Sequence, residues 1–394
     1  MEEQDYKNML AAFDAIRPFE PEELPAAYDR LEGDPQFQAV VKYLYPQVPF
    51  AALMQKMRMC TTCLDFQKAF CYGFLKDLMA KASTGFDIDA TAIDVARRFT
   101  FVSNHRDIVL DSALLDVLLI DAGAQTTCEI AIGDNLLAAP WIRDLVRINK
   151  SFIVERSLGI REMLAASKRL SEYMHFVVAC KHDNVWIAQR EGRAKDSDDR
   201  TQPSILKMMA MGGATGEGVV ERLKALHIVP LAISYEYDPC DFLKAREFQL
   251  KRDIPGWKKS KADDVESMRT GIMGYKGRVH YHCAPSIDGW LDTLPQDMPK
   301  GELFDAIAAH IDQEIHSHYR IFASNRVAAG AEATEEEKAS FHRYLDGQMA
   351  KIMNHPANGA TGFVPDEAFL RDCLLTMYAN PLRNYRQATA PSTR

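Results

Sequence analysis

Between Phe99 and Ile120 the chain passes from a short apolar run, FTFV, through SNHRDIVLD to SALLDVLLI, where apolar residues recur at helical intervals. A strand that feeds a helix through a short polar turn commits this region to an α/β layout. Such turns are where α/β enzymes mount reactive groups. This one carries His105, Arg106, Asp107 and Asp111. A histidine beside a carboxylate is the usual route to a general base that works near neutral pH. The same residues would also serve as a polar helix cap with an incidental histidine, and the later strand ends decide between the two.

The alternation continues. Strands are expected at Phe99–Val102, Cys128–Ile132, Ser151–Val154, Val185–Gln189, Ile228–Ser234 and Val279–Cys283, with helices between them, the clearest at Ile160–Ala179. This is the pattern of an α/β fold with a mostly parallel central sheet flanked by helices. Residues 1–95 read as an N-terminal helical region, with Tyr6, Met9, Leu10, Phe13 and Ile16, and later Phe66, Phe70, Phe74 and Leu78, at helical spacing. Residues 96–290 form the α/β domain. Residues 291–394 read as a C-terminal helical region, in which Thr334 and Glu337 have capping-box spacing.

A net charge of -8 argues against nucleic-acid binding, which needs a basic face. No apolar run reaches the length of a membrane span, and the acidic start MEEQDYKNML lacks a signal-peptide pattern, so a cytoplasmic location is expected. Eight cysteines in 394 residues do not suggest a disulfide framework. Cys60 and Cys63 make a single CxxC without the second pair a zinc site needs, and read as buried thiols. His310, Glu314 and His318 share a helix face by their spacing, but without an HExxH they read as a solvated face, and no metal site is expected. His280 and His282 alternate on one strand and read as structural; MGGATGEG, Met211–Gly218, reads as a flexible connection.

The strand ends carry a consistent chemistry. SFIV ends in Glu155 and Arg156, VWIAQ in REGRAKD (Arg190–Asp196), and HIVPLAISYE in Tyr235 and Glu236. Ligands of open parallel sheets bind outside the carboxyl ends of the strands, so His105, Arg156, Arg193 and Lys195 are expected to line one crevice. A base beside guanidinium and ammonium groups suits a phosphorylated alcohol: the cations hold the dianion while the base takes the hydroxyl proton.

These blocks resemble, in order, those of the glycerol-3-phosphate and 1-acylglycerol-3-phosphate acyltransferase family, in a bacterial subgroup with NHRDIVLD and REGRAKD. NHRDIVLD resembles the family's histidine–aspartate block, with five residues rather than four between His105 and Asp111. IAIGDNLLAAPWIRDLVRINKSFIVER is similar to the second block, with Glu155 where many members have an arginine; EGRAKD and IVPLAISYE resemble the third and fourth. The resemblance covers about residues 96–285. It implies an O-acyltransferase in phospholipid synthesis in which His105 is the base, with Asp111 rather than Asp107 orienting it. Arg106, Arg156, Glu191, Gly192, Arg193 and Lys195 would bind the acceptor. It implies no cofactor. The co-substrate would be acyl-CoA or acyl-ACP, so the partners are an acyl carrier protein or CoA thioester, a glycerophosphate or lysolipid acceptor, and the inner face of the membrane by peripheral contact. The absence of a GxSxG elbow weighs against a serine hydrolase. The altered second and third blocks leave open another amphiphilic acceptor, such as a hydroxyacyl amino-acid lipid. A non-catalytic lipid-binding protein of the same fold is a further alternative.

Overall fold

The computed structural model describes residues 3–156 and 158–391. Its centre is a seven-stranded sheet of order β1-β7-β6-β2-β5-β3-β4. The strands are β1 Gly85–Asp89, β2 Thr100–Ser103, β3 Cys128–Gly133, β4 Ser151–Val154, β5 Asn184–Ala188, β6 Ile228–Tyr235 and β7 Arg278–Cys283. From β6 to β4 all neighbours are parallel. β7 runs antiparallel to β6, and β1 parallel to β7. The fold is α/β, with a mostly parallel sheet flanked by helices.

Parallel strands covered by helices on both faces read as continuous apolar runs, and β2 and β6 are buried throughout. The period of two sorts their side chains. Val102, Val185, Ile187 and Ile228 face a core with Leu170, Tyr173, Leu206, Ile307 and Ile311. Phe101, Trp186, Val229 and Leu231 face Leu114, Leu115 and Leu118 of the Leu110–Asp121 helix, and Leu75, Leu78 and Met79 of the Gly73–Ala82 helix. A third cluster joins the N-terminal helices, through Tyr28, Leu31, Phe37 and Met54, to Trp141 and Leu145. A fourth joins the Asp241–Asp253, Glu335–Met353 and Glu367–Thr389 helices through Leu250, Phe341, Leu345 and Leu374. The Tyr378 hydroxyl accepts from Asp238 N at 3.1 Å, and Ser324 Oγ donates to Glu236 O at 2.8 Å. These bonds seat the C-terminal helices on the chain leaving β6.

Two features depart from the sequence expectation. β1 is a strand inside the stretch read as helical. GFDID is short, alternates apolar with acidic residues and stays half-exposed, as an edge strand does. Its Asp87 pairs with Arg278 and His280 of β7. The long helix from Ile160 ends as an α-helix at Phe176, and a π-turn covers Val177–Lys181. The Thr334–Glu337 capping box is present, with Glu337 N to Thr334 Oγ1 at 3.2 Å. Cys63 Sγ donates to Phe19 O at 3.3 Å, and burial pushes its thiol up to about 12. No helix among the described residues is long and apolar enough to cross a membrane.

Candidate active site

The turn after β2 is built by side chains that finish backbone bonding. Asn104 extends the pairing with β6 by one residue: its Nδ2 donates to Ile233 O at 2.9 Å and its Oδ1 accepts from Ile233 N at 2.8 Å. Ser103 Oγ accepts from Trp186 Nε1 at 3.1 Å, which sets the indole edge-on to His105 with ring centres 5.8 Å apart. The chain then folds back over Asp111, in the first turn of the next helix. Its Oδ2 accepts from Arg106 N at 2.6 Å and Asp107 N at 3.0 Å, and lies 2.8 Å from His105 Nδ1. An oxygen that already accepts two backbone N–H groups is an acceptor toward the ring as well, so the imidazole proton is assigned to Nδ1 and the lone pair to Nε2. Nε2 has no hydrogen-bond partner among the described residues, and the side chain retains 14% exposure. The result is an imidazole oriented through Nδ1 by Asp111, with Nε2 free of protein partners among the described residues.

Asp107 has a different task. Its Oδ1 accepts from Val109 N at 2.9 Å and Leu110 N at 2.8 Å, capping the helix. Burial, and then the Asp111 charge, push its carboxyl above the usual range.

The expected cations do not share one crevice. Arg106 is 6% exposed, with Nη1 3.4 Å from Asp199 Oδ2 and its guanidinium 5.8 Å from the Tyr319 ring centre. Arg193 is 7% exposed and faces Cys240, Asp107 and Asp238. Lys195 Nζ lies 3.2 Å from Glu247 Oε2, and burial pulls its ammonium down to about 8. Lys244, fully buried, binds Asp238 and reaches Arg106 O at 3.4 Å. Arg106, Arg193 and Lys195 thus belong to a buried polar cluster against the Asp241–Asp253 helix. Arg156 stands elsewhere, at the end of the edge strand β4, exposed, with Nη1 3.6 Å from the exposed Glu191 Oε1. Gly192 follows Glu191 at φ +67°, a backbone turn that favours glycine. Glu155 pairs with Arg169 of the Ile160–Phe176 helix. The division follows from topology: three strand spacings separate β2 from β4, and the C-terminal helices cover the β6 side.

Sequence reasoning missed Trp186, Asp199 and Tyr319. Trp186 was legible in part, because it alternates with Val185 and Ile187 onto the face that carries Phe101. Asp199 is fully buried, and neither carboxylate oxygen has a hydrogen-bond partner among the described residues. Burial raises its carboxyl, and Arg106 is its nearest cation. Beside Arg106, Ser234, Tyr235 and Tyr319 lies a cavity of about 20 Å³, room for one water. His310 stacks on Trp290 with ring centres 3.9 Å apart, and His318 on His282 at 4.1 Å, so the two face different partners. Among the described residues no three His, Cys, Asp or Glu side chains are grouped to hold a metal ion.

Fold and turn together define an α/β protein with a histidine–aspartate pair at the carboxyl edge of a mostly parallel sheet. No family model matches the chain, and no curated protein is matched. Among solved structures the chain is similar to a 1-acyl-sn-glycerophosphate (LPA) acyltransferase from Thermotoga maritima. The two share 12% identity with a TM-score of 0.37, over 74% of this chain and 95% of that one.

Proposed function

We propose that this protein transfers a fatty acyl group from a thioester carrier to the hydroxyl of glycerol 3-phosphate or 1-acylglycerol 3-phosphate, with His105 as the general base. The observation that carries the reading is the His105 ring, bonded through Nδ1 to Asp111 at 2.8 Å with Nε2 free. Nε2 takes the acceptor's hydroxyl proton as the alkoxide attacks the thioester carbonyl. The tetrahedral intermediate collapses, the carbon–sulfur bond breaks, and the thiolate leaves with the proton returned by the imidazolium. Asp111 holds the tautomer and stabilises that imidazolium. Arg156, exposed at the carboxyl end of β4 and facing Glu191 in the loop after β5, is our candidate for the acceptor's phosphate, which it would reach only across the strands between β4 and β2. The exposed Val40, Tyr43, Leu44 and Val48, at and beyond the Pro35–Leu44 helix, support peripheral contact with a membrane that holds the product.

One observation favours a second acceptor. Arg156 shares its exposed rim with Glu191, and Glu155 stands beside it. That mixed charge suits a zwitterionic amino-acid lipid. One screen tests both readings: acyl-CoA and acyl-ACP are each offered with phosphorylated and amino-acid acceptors, and ester formation is followed by mass spectrometry. An ester on a glycerophosphate supports the first reading and an ester confined to amino-acid acceptors the second. No ester from any pair overturns acyl transfer.

A further inference from the structure

Between Gln189 and Gln202 the chain leaving β5 forms a loop without helix or strand, closed at its neck. Gln202 N donates to Gln189 O at 2.9 Å, and Gln202 Oε1 accepts from Glu191 N at 2.8 Å. The neck is tied to β2 as well, since Gln189 N donates to Ser103 O at 2.8 Å, two residues before His105. The returning limb is pinned to the Lys300–Ser317 helix. Asp312 Oδ1 accepts from Thr201 N and Thr201 Oγ1, both at 2.7 Å, and His316 Nε2 donates to Asp199 O at 2.9 Å.

These bonds hold Asp199 in a costly place. Its side chain is fully buried, and neither oxygen accepts a hydrogen bond among the described residues. A carboxylate taken out of water without such bonds is kept only against a paired cation. That cation is Arg106, with Nη1 3.4 Å away and the Tyr319 ring beside its guanidinium. Arg106 directly follows the histidine. Its N donates at 2.6 Å to the same Asp111 oxygen that meets the His105 ring, and its O accepts from Lys244 at 3.4 Å. Whatever moves Arg106 therefore moves a peptide that shares its acceptor with the imidazole.

We propose that Asp199 is a positioning residue which, acting through Arg106, locks the His105–Asp111 pair and couples it to the loop after β5 and the Lys300–Ser317 helix. Arg106 is then a strut and does not reach substrate. The consequence for turnover rests on the acyl-transfer reading above; the lock itself does not.

The test follows the His105 Nδ1–H resonance of the full chain by proton NMR, identified by its loss in His105→Gln. Its exchange with solvent is compared in the wild type, Asp199→Asn, Arg106→Met and the double variant. A lock that acts through one pair predicts exchange about tenfold or more faster in each single variant and no faster still in the double. Melting temperature should behave differently. Each single variant leaves a buried charge without its partner, and the double variant, which removes both charges, should melt above either. In acyl transfer all three should show kcat lowered about tenfold or more, as a misplaced base does, with the KM of donor and acceptor unchanged.

The proposal is overturned if the wild type shows no protected Nδ1–H, if Asp199→Asn exchanges at the wild-type rate, or if exchange recovers in the double variant along with the melting temperature. A raised acceptor KM at wild-type kcat in Arg106→Met would place that guanidinium on the substrate and overturn it too. The expected exchange pattern in a protein that transfers no acyl group would uphold the lock and sink the acyltransferase reading instead.

Discussion

A Cβ placed on Gly271 would overlap Oδ2 of Asp107, whose other oxygen caps the Leu110–Asp121 helix through Val109 N and Leu110 N. The Lys261–Met273 helix therefore backs directly onto the turn that presents His105, and only a residue without a side chain fits there. Gly271→Ala must displace the capping carboxylate or the helix. Overpacking of this kind costs about 1–3 kcal/mol, so a lower melting temperature and lower turnover should appear together. Gly289, with nothing within 4 Å of its Cβ position, is the control, and Gly289→Ala should leave both unchanged.

His105→Ala should lower turnover about 10²–10⁴-fold, the usual contribution of a positioned base, without unfolding the protein. Asp111→Asn should approach the same defect, since a neutral amide is a weaker acceptor and cannot stabilise the imidazolium as the carboxylate does, and combining the two changes should add little. Asp107→Asn weakens the helix cap and should chiefly lower the melting temperature. An inactive Asp107→Asn beside a near-normal Asp111→Asn would reverse the roles of the two acids.

Arg156 and Arg193, both candidates for binding the acceptor, should separate experimentally. Arg156 is exposed, so Arg156→Ala should raise the acceptor's KM while the melting temperature holds. Arg193 lies buried against Asp107 and Asp238. Removing one partner of buried charges costs about 3–5 kcal/mol, so Arg193→Ala should fail first as a stability defect. A stable Arg193→Ala protein with only a raised acceptor KM would show that this guanidinium reaches substrate.

Acid sensitivity should trace in part to His310. Burial lowers its pKa from 6.5 to about 4, with the ring stacked on Trp290. Between those values the unfolded chain binds the proton and the folded chain does not, so stability is held above pH 6.5 and drains away as pH falls toward 4. His310→Phe keeps a stacking ring without the proton. Its melting temperature should fall less steeply over that window, and a slope identical to the wild type's would sink the assignment.

Much of the frame is legible in the residues. Ser151–Val154 matches its expected strand, and the other five expected strands fall within a residue or two of β2, β3, β5, β6 and β7, because apolar runs of strand length between polar turns leave few alternatives. β1 escaped, since an edge strand of alternating acids carries no such run; it exists through β7, whose Arg278 and His280 take up Asp87. The His105–Asp111 pair is also local enough to read, being a turn and the helix turn that follows it. The fate of the cations is not local. Arg106, Arg193 and Lys195 have the sequence marks of an open anion site, yet Asp199, Asp238 and Glu247 arrive beside them from separate segments, and the C-terminal helices close over that side of the edge. Short-range periodicity fixes which residues form a strand, a helix or the turn between them. Whether a charge at a strand end meets solvent or a buried counter-charge depends on strand order and on what packs above it, and those are properties of the folded chain alone.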